Sequence, residues 1–102
     1  MSKKDILIFV QANIVMANLS VLVGERIRLQ RKRLKINQEK LALIADIDRS
    51  YMGRIERGEV NITLDKLYGL CAVLQCEAAE LLPLRSELDE NRYWVFEQDK
   101  LS

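Results

Sequence analysis

The stretch from Asn37 to Gly58, NQEKLALIADIDRSYMGRIERG, constrains this chain most, because its spacing fits two short helices joined by a tight corner. Asn37 marks the start of the first helix, since its side-chain oxygen can accept from an otherwise unpaired amide of the first turn. Leu41, Ala42 and Ala45 then share a face with Ile44 beside them, and the two alanines leave room for a second helix to cross closely. At the corner Asp46-Ile47-Asp48, the apolar Ile47 is expected to turn inward between two wet acids. Asp48 is placed to cap the second helix, Arg49 to Arg57, and Gly58 to end it, because glycine takes the left-handed conformation without steric cost. On that second helix Met52, Ile55 and Glu56 share one face, while Arg49, Ser50, Gly53 and Arg54 share the opposite one.

That opposite face carries the chemistry of a duplex reader. Base edges in the major groove are recognised by bidentate arginine and by hydroxyl or amide groups at helical spacing. Arg49, Ser50 and Arg54 offer such groups near the helix end that would enter the groove first, and Tyr51 flanks them within reach of a phosphate or a thymine methyl. Gln38, in the first turn of the preceding helix, is placed for a phosphate bond, with Arg57 and Asn61 gripping the backbone farther on and Lys40 adding longer-range attraction.

The same residues resemble the helix-turn-helix of the phage-repressor-like (Cro/C1, or XRE) family of DNA-binding proteins. Gln38, the Leu41-Ala42 pair and the exit Ile55-Glu56-Arg57-Gly58 carry the resemblance, which covers roughly 19–82. Ile47 to Met52, with Glu59-Val60-Asn61-Ile62-Thr63-Leu64 after it, looks most like the restriction–modification controller proteins of that family. The family often has glycine where Lys35 and Asp46 stand here; aspartate tolerates a left-handed turn fairly well and lysine less so. The resemblance also implies a partly buried ion pair between Arg31 and Glu56. Both lie on inward faces of their helices, where each charge needs the other.

The net charge of +1 argues against a polyanionic partner until its distribution is considered. From Glu25 to Arg57 there are ten Lys/Arg against five Asp/Glu, a net +5, and from Cys76 to Ser102 three against seven, a net −4. A basic centre with an acidic far end suits a protein oriented on nucleic acid. No histidine, glycine-rich phosphate loop or activated cysteine is present for general acid–base or nucleophilic work, so an enzyme is not expected. Cys71 and Cys76 lie five apart without a metal cluster's partners, and Cys71 falls on an apolar stripe, so free thiols in a reducing cytoplasm, with no metal and no cofactor, are expected.

Ahead of the motif, the apolar run Lys3 to Val23 is interrupted by Gln11, Asn13, Asn18 and Ser20, too often for a span needing about 20 apolar residues. It reads as an added helix, Lys4 to Ala17, with Ile6, Val10, Asn13, Ile14 and Ala17 facing one way and Leu7, Ile8 and Val15 forming a second apolar flank. That helix is expected to be covered by the domain on one side and a partner chain on the other. Asn18 or Ser20 can start the next helix, which runs to about Leu34 with Leu22, Val23, Ile27 and Leu34 as its core stripe. After the motif, Thr63 caps a core helix in which Leu64, Leu67, Leu70, Cys71 and Leu74 recur at helical spacing. A short helix from Glu77 to Leu82 ends at Pro83. The tail holds the aromatic cluster Tyr93-Trp94-Val95-Phe96, helical by expectation, with a strand over Arg92 to Phe96 as the alternative.

The fold class expected is all-α: a five-helix phage-repressor-like domain over 19–82, an extra N-terminal helix over 1–18 for packing or dimerisation, and a helical extension over 83–102. The function expected is a cytoplasmic transcription regulator that binds a palindromic double-stranded operator as a homodimer and contacts RNA polymerase if it activates. A phage-type repressor or antitoxin regulator would use the same fold, and so would a protein-interaction module that has lost DNA. No membrane association is expected.

Overall fold

The computed structural model describes residues 1–88, and for 13–17 the backbone alone. Among the described residues there are six helices and no strand: α1 (Lys3–Arg33), α2 (Gln38–Ile44), α3 (Arg49–Glu56), α4 (Leu64–Leu74), α5 (Ala78–Leu81) and α6 (Arg85–Leu88). The aromatic cluster of the tail lies outside the described residues.

The expected break near Asn18 is absent. One 31-residue helix replaces the two anticipated, about 46 Å long at 1.5 Å per residue, and it accounts for the 50 Å long axis of the molecule. Nothing in 17–20 forces a stop, as neither glycine nor proline occurs there. The polar side chains read as caps bond elsewhere: Asn18 Nδ2 donates to the Leu88 carbonyl at 3.3 Å, and Ser20 Oγ donates to Asn61 Oδ1 at 2.8 Å. The helix begins instead at Ser2, whose hydroxyl accepts from Asp5 N–H while the Asp5 carboxylate accepts from Ser2 N–H. It closes on Arg31, Lys32 and Arg33, cations at the negative end of the dipole.

The C-terminal half of α1 is the spine of the domain. Val23 and Ile27 are buried with Leu41 and Ala42 of α2, Met52 and Ile55 of α3, Leu67, Leu70, Cys71 and Leu74 of α4, and Leu81 of α5. Gly24 makes the closest approach: a Cβ there would sit 2.3 Å from the Ile55 carbonyl oxygen and 2.9 Å from that of Glu56. Thus α1 is laid directly on the end of α3. Gly58, at φ +73°, turns the chain out of α3 against the Val21 backbone. Leu64 is corrected from core to surface, being 71% exposed in the first turn of α4, and Leu82 is exposed where Leu81 is buried. On the N-terminal half of α1, Ile6, Ile8 and Val10 are exposed and Leu7 is half-buried, so the described residues leave much of the apolar flanks uncovered.

The turns meet their backbone requirements with non-glycine residues. Lys35 and Asp46 take φ of 57° and 54°, so the left-handed geometry persists where the resembled family often has glycine. Gln75, at φ 56°, ends α4; Cys76 N–H then donates to the Cys71 carbonyl at 3.1 Å and brings the two cysteines together. Burial pushes both thiols up, Cys76 to about 11, so both stay protonated near neutrality. No single described helix is long and apolar enough to cross a membrane. The apolar segments Leu64–Leu74 and Ala78–Leu88 are bent 101° from one another, and their Leu67, Leu70, Leu74 and Leu81 are core.

Candidate nucleic-acid interface

Two side chains set the starts of the motif helices. Asn37 Oδ1 accepts from Lys40 N–H at 2.8 Å to start α2. Asp48 Oδ2 accepts from Tyr51 N–H at 3.1 Å and from Ser50 Oγ at 2.7 Å to start α3. The Ser50 hydroxyl first, then the Tyr51 amide, hold the Asp48 carboxyl below its ordinary range. Ile47 is half-buried between exposed Asp46 and Asp48, so the corner turns as its pattern demanded.

Behind the exposed face lies a charged clamp. Arg31 Nε donates to Glu56 Oε2 at 2.8 Å and Arg31 Nη2 to Glu56 Oε1 at 2.9 Å, a bidentate pair. Arg31 Nη1 also donates to the Ile36 carbonyl at 3.1 Å, and Gln38 Nε2 donates to Glu56 Oε1 at 3.2 Å. The Arg31 and Glu56 side chains are only 11% and 3% exposed, so the pair binds α1, the following turn, α2 and the end of α3 into one unit. Among the described residues no buried side-chain polar atom lacks a partner.

In front, Gln38, Asp48, Arg49, Ser50, Gly53 and Arg57 line one open polar cleft across the α2–α3 corner. Four of the residues singled out in the sequence, Gln38, Arg49, Ser50 and Arg57, are thereby brought together. Gly53 belongs to the floor of this cleft and not to the exposed face: it is buried, and a Cβ there would lie 3.0 Å from Arg57 Nη1 and 3.4 Å from Gln38 Oε1. Arg54 is exposed on α3 outside the cleft, as is Lys40 on α2. Tyr51 is half-buried against the core, with Lys66 Nζ 4.2 Å from its ring centroid, a cation–π contact that adds an unforeseen cation beside α3. Asn61 is set apart: it accepts from Ser20 and lies with Leu19, Val23, Ile55 and Leu64 around a mainly apolar cavity.

Sequence reasoning missed the acids of this surface. Glu39 Oε1 is 2.5 Å from Arg49 Nη2, and Arg57 Nε donates to Glu59 Oε2 at 2.9 Å. In sequence Glu39 and Glu59 look like ordinary solubilising charges. Only the corner, which folds α2 beside α3, brings Glu39 to Arg49. Among the described residues no cluster of three or more His, Cys, Asp or Glu could hold a metal ion.

A helix-turn-helix family model (HTH_3) matches residues 27–81, more than half of the chain and the whole of the motif with its supporting helices. The chain belongs to the helix-turn-helix family. It is of the XRE, phage-repressor-like type and resembles the controller proteins within it. Control protein C.BamHI of Bacillus amyloliquefaciens is 33% identical over 66 residues, 64% of this chain and 82% of the relative. Control protein C.SmaI of Serratia marcescens is 34% identical over 71 residues, 70% and 84% of the two chains. Among solved structures, the restriction-modification controller protein C.AhdI from Aeromonas hydrophila superposes with a TM-score of 0.59 at 39% identity, covering 61% of this chain and 94% of that one. Among the described residues the chain is all-helical and shares its fold with the C.AhdI structure. The family match begins at residue 27, so most of α1, residues 3–26, lies ahead of it.

Proposed function

We propose that this helix-turn-helix protein is a sequence-specific transcription regulator, the controller of a restriction–modification system, acting as a homodimer on a palindromic operator. The single observation that supports the reading most is the cleft shared by Gln38, Arg49, Ser50 and Arg57 on the open side of a clamped α2–α3 pair. The likeness to two control proteins and a controller structure supports the genetic setting. On this reading Arg49 reads a guanine edge through a bidentate contact, Ser50 and Arg54 contribute to base readout, and Tyr51 meets a phosphate or thymine methyl. Gln38, Arg57 and Lys40 hold the phosphates and set the register. Asn61, whose carbonyl is engaged by Ser20, keeps its amide N–H groups for the backbone.

One recognition helix of eight residues reads few base pairs, so specificity calls for two copies about 34–36 Å apart on the duplex. The extra N-terminal half of α1 is proposed to serve packing or dimerisation. The protein would work in the cytoplasm and meet RNA polymerase where it activates. The test is selection of bound duplexes from a random pool, followed by gel shift across a salt series. A palindromic consensus with steep salt dependence is expected, and Arg49→Ala is expected to cost about 1–3 kcal/mol on that duplex with relaxed preference at one base pair. Equal loss on all duplexes would make Arg49 a phosphate contact, and no bound duplex would leave a protein-interaction module.

A further inference from the structure

We propose that Glu39 is a positioning residue for base readout: it holds the Arg49 guanidinium in the groove-facing direction and keeps it from a phosphate. The inference rests on the DNA-binding reading above. Its basis is geometric. Glu39 lies in the first turn of α2 and Arg49 opens α3; the corner between them sets Glu39 Oε1 2.5 Å from Arg49 Nη2. Both side chains remain largely exposed, 60% and 73%, so the pair adds little to stability in water. An ion pair of little structural value, placed on the surface that reads DNA, is better understood through what it does to the arginine.

An arginine at the rim of a helix can reach either a base edge or the nearest phosphate, and only the first carries sequence information. Guanine engages two guanidinium N–H groups through O6 and N7 and leaves the remaining donors unsatisfied. A carboxylate on one of those donors removes rotational freedom from the side chain before binding. It also repels the phosphate that would otherwise compete for the same cation. The pair costs nonspecific affinity, since it places a negative charge near the backbone, and gains discrimination. When the groove closes over it and excludes water, the attraction between the two side chains strengthens. Asp48 and Glu59 act on different partners: Asp48 is engaged by the Ser50 hydroxyl and the Tyr51 amide, and Glu59 by Arg57. Glu39 is thus the acid that governs the base-reading arginine.

The experiment compares wild type, Glu39→Gln, Glu39→Ala, Arg49→Ala and the double variant Glu39→Ala/Arg49→Ala on three duplexes by fluorescence anisotropy: the selected operator, a scrambled duplex, and the operator changed at the base pair that Arg49→Ala relaxes. The expected result is that both Glu39 variants bind the scrambled duplex a few-fold more tightly. They should lose about tenfold in preference between operator and changed operator, while adding nothing to the loss in an Arg49→Ala background. Circular dichroism melts should show both variants folded as wild type, which separates positioning from structure. Equal tightening on all three duplexes would show that Glu39 acts as a distant charge and would overturn the proposal. So would relaxed preference at a base pair untouched by Arg49→Ala, because Glu39 would then read a base itself, as a carboxylate can from cytosine N4. If wild type prefers no duplex, the DNA-binding reading falls and this inference with it, a different result from either of the other two.

Discussion

Replacing Arg31 with alanine tests the clamp on which the presentation of α3 depends. The variant leaves the Glu56 carboxylate, 3% exposed, with Gln38 Nε2 at 3.2 Å as its remaining side-chain donor. It also removes the donor from the Ile36 carbonyl and so loosens the turn into α2. Stranding a buried charge in this way costs about 3–5 kcal/mol, a large share of the roughly 5–15 kcal/mol that holds a domain of this size together. At about 4–8 °C per kcal/mol, the melting temperature should fall by roughly 12–40 °C, read by circular dichroism or calorimetry. The double variant Arg31→Met/Glu56→Met should recover most of that loss, because it removes both charges and fills their space with apolar side chains. A loss below about 1 kcal/mol for Arg31→Ala, the range of exposed pairs, would refute the reasoning, since Glu56 would then have access to water.

Gly24→Ala should destabilise by about 1–3 kcal/mol or more in urea unfolding, because the new methyl meets the Ile55 carbonyl at 2.3 Å and α1 must lift off α3; a neutral variant would show that the crossing is loose. Lys35→Gly should stabilise by up to about 1 kcal/mol, the relief of a left-handed lysine less the extra chain entropy of glycine, and a lower melting temperature would contradict this. Asp48 and Glu87 both have lowered carboxyl pKa values, Asp48 through Ser50 and Tyr51, Glu87 through Arg26 and then Leu84 N–H. Each contributes stability that is present above its unfolded value, near 3.8 and 4.5, and lost as pH falls through the folded value. Asp48→Asn keeps a capping oxygen and should therefore flatten the acid limb of a stability–pH curve without abolishing α3; an unchanged limb would remove Asp48 from the account.

The motif was legible because several constraints coincide within a few residues. Asn37, Asp48 and Thr63 are all cap residues followed by apolar spacing, and each caps the helix that the pattern placed after it. The inward faces of α2, α3 and α4 followed from the 3.6-residue period. What failed was local identity without context. Asn18 and Ser20 have the chemistry of caps, yet inside α1 their side chains bond to Leu88 and Asn61, partners remote in sequence. Leu64 continues an apolar repeat but stands at the first position of α4, at the rim of the core, where it stays largely exposed. The sequence signal for the tightest crossing is Gly24, a glycine within an otherwise helical pattern. Gly53 sits at the border between the two faces of α3, where periodicity alone cannot decide, and it falls on the buried side beneath Arg57 and Gln38. Of the candidate site, Gln38, Arg49, Ser50 and Arg57 share the cleft. The placement of Asn61 and the Glu39–Arg49 pair depend on how distant segments fold together, which no short spacing encodes.

Methylation interference on the selected operator addresses the central claim most directly, because dimethyl sulfate marks guanine N7 in the major groove and adenine N3 in the minor groove. The account predicts that binding is blocked by N7 methylation in two symmetric sets of guanines whose centres lie about 10–10.5 base pairs apart, one set for each α3. Interference confined to adenine N3, or to a single unrepeated set of guanines, would contradict it.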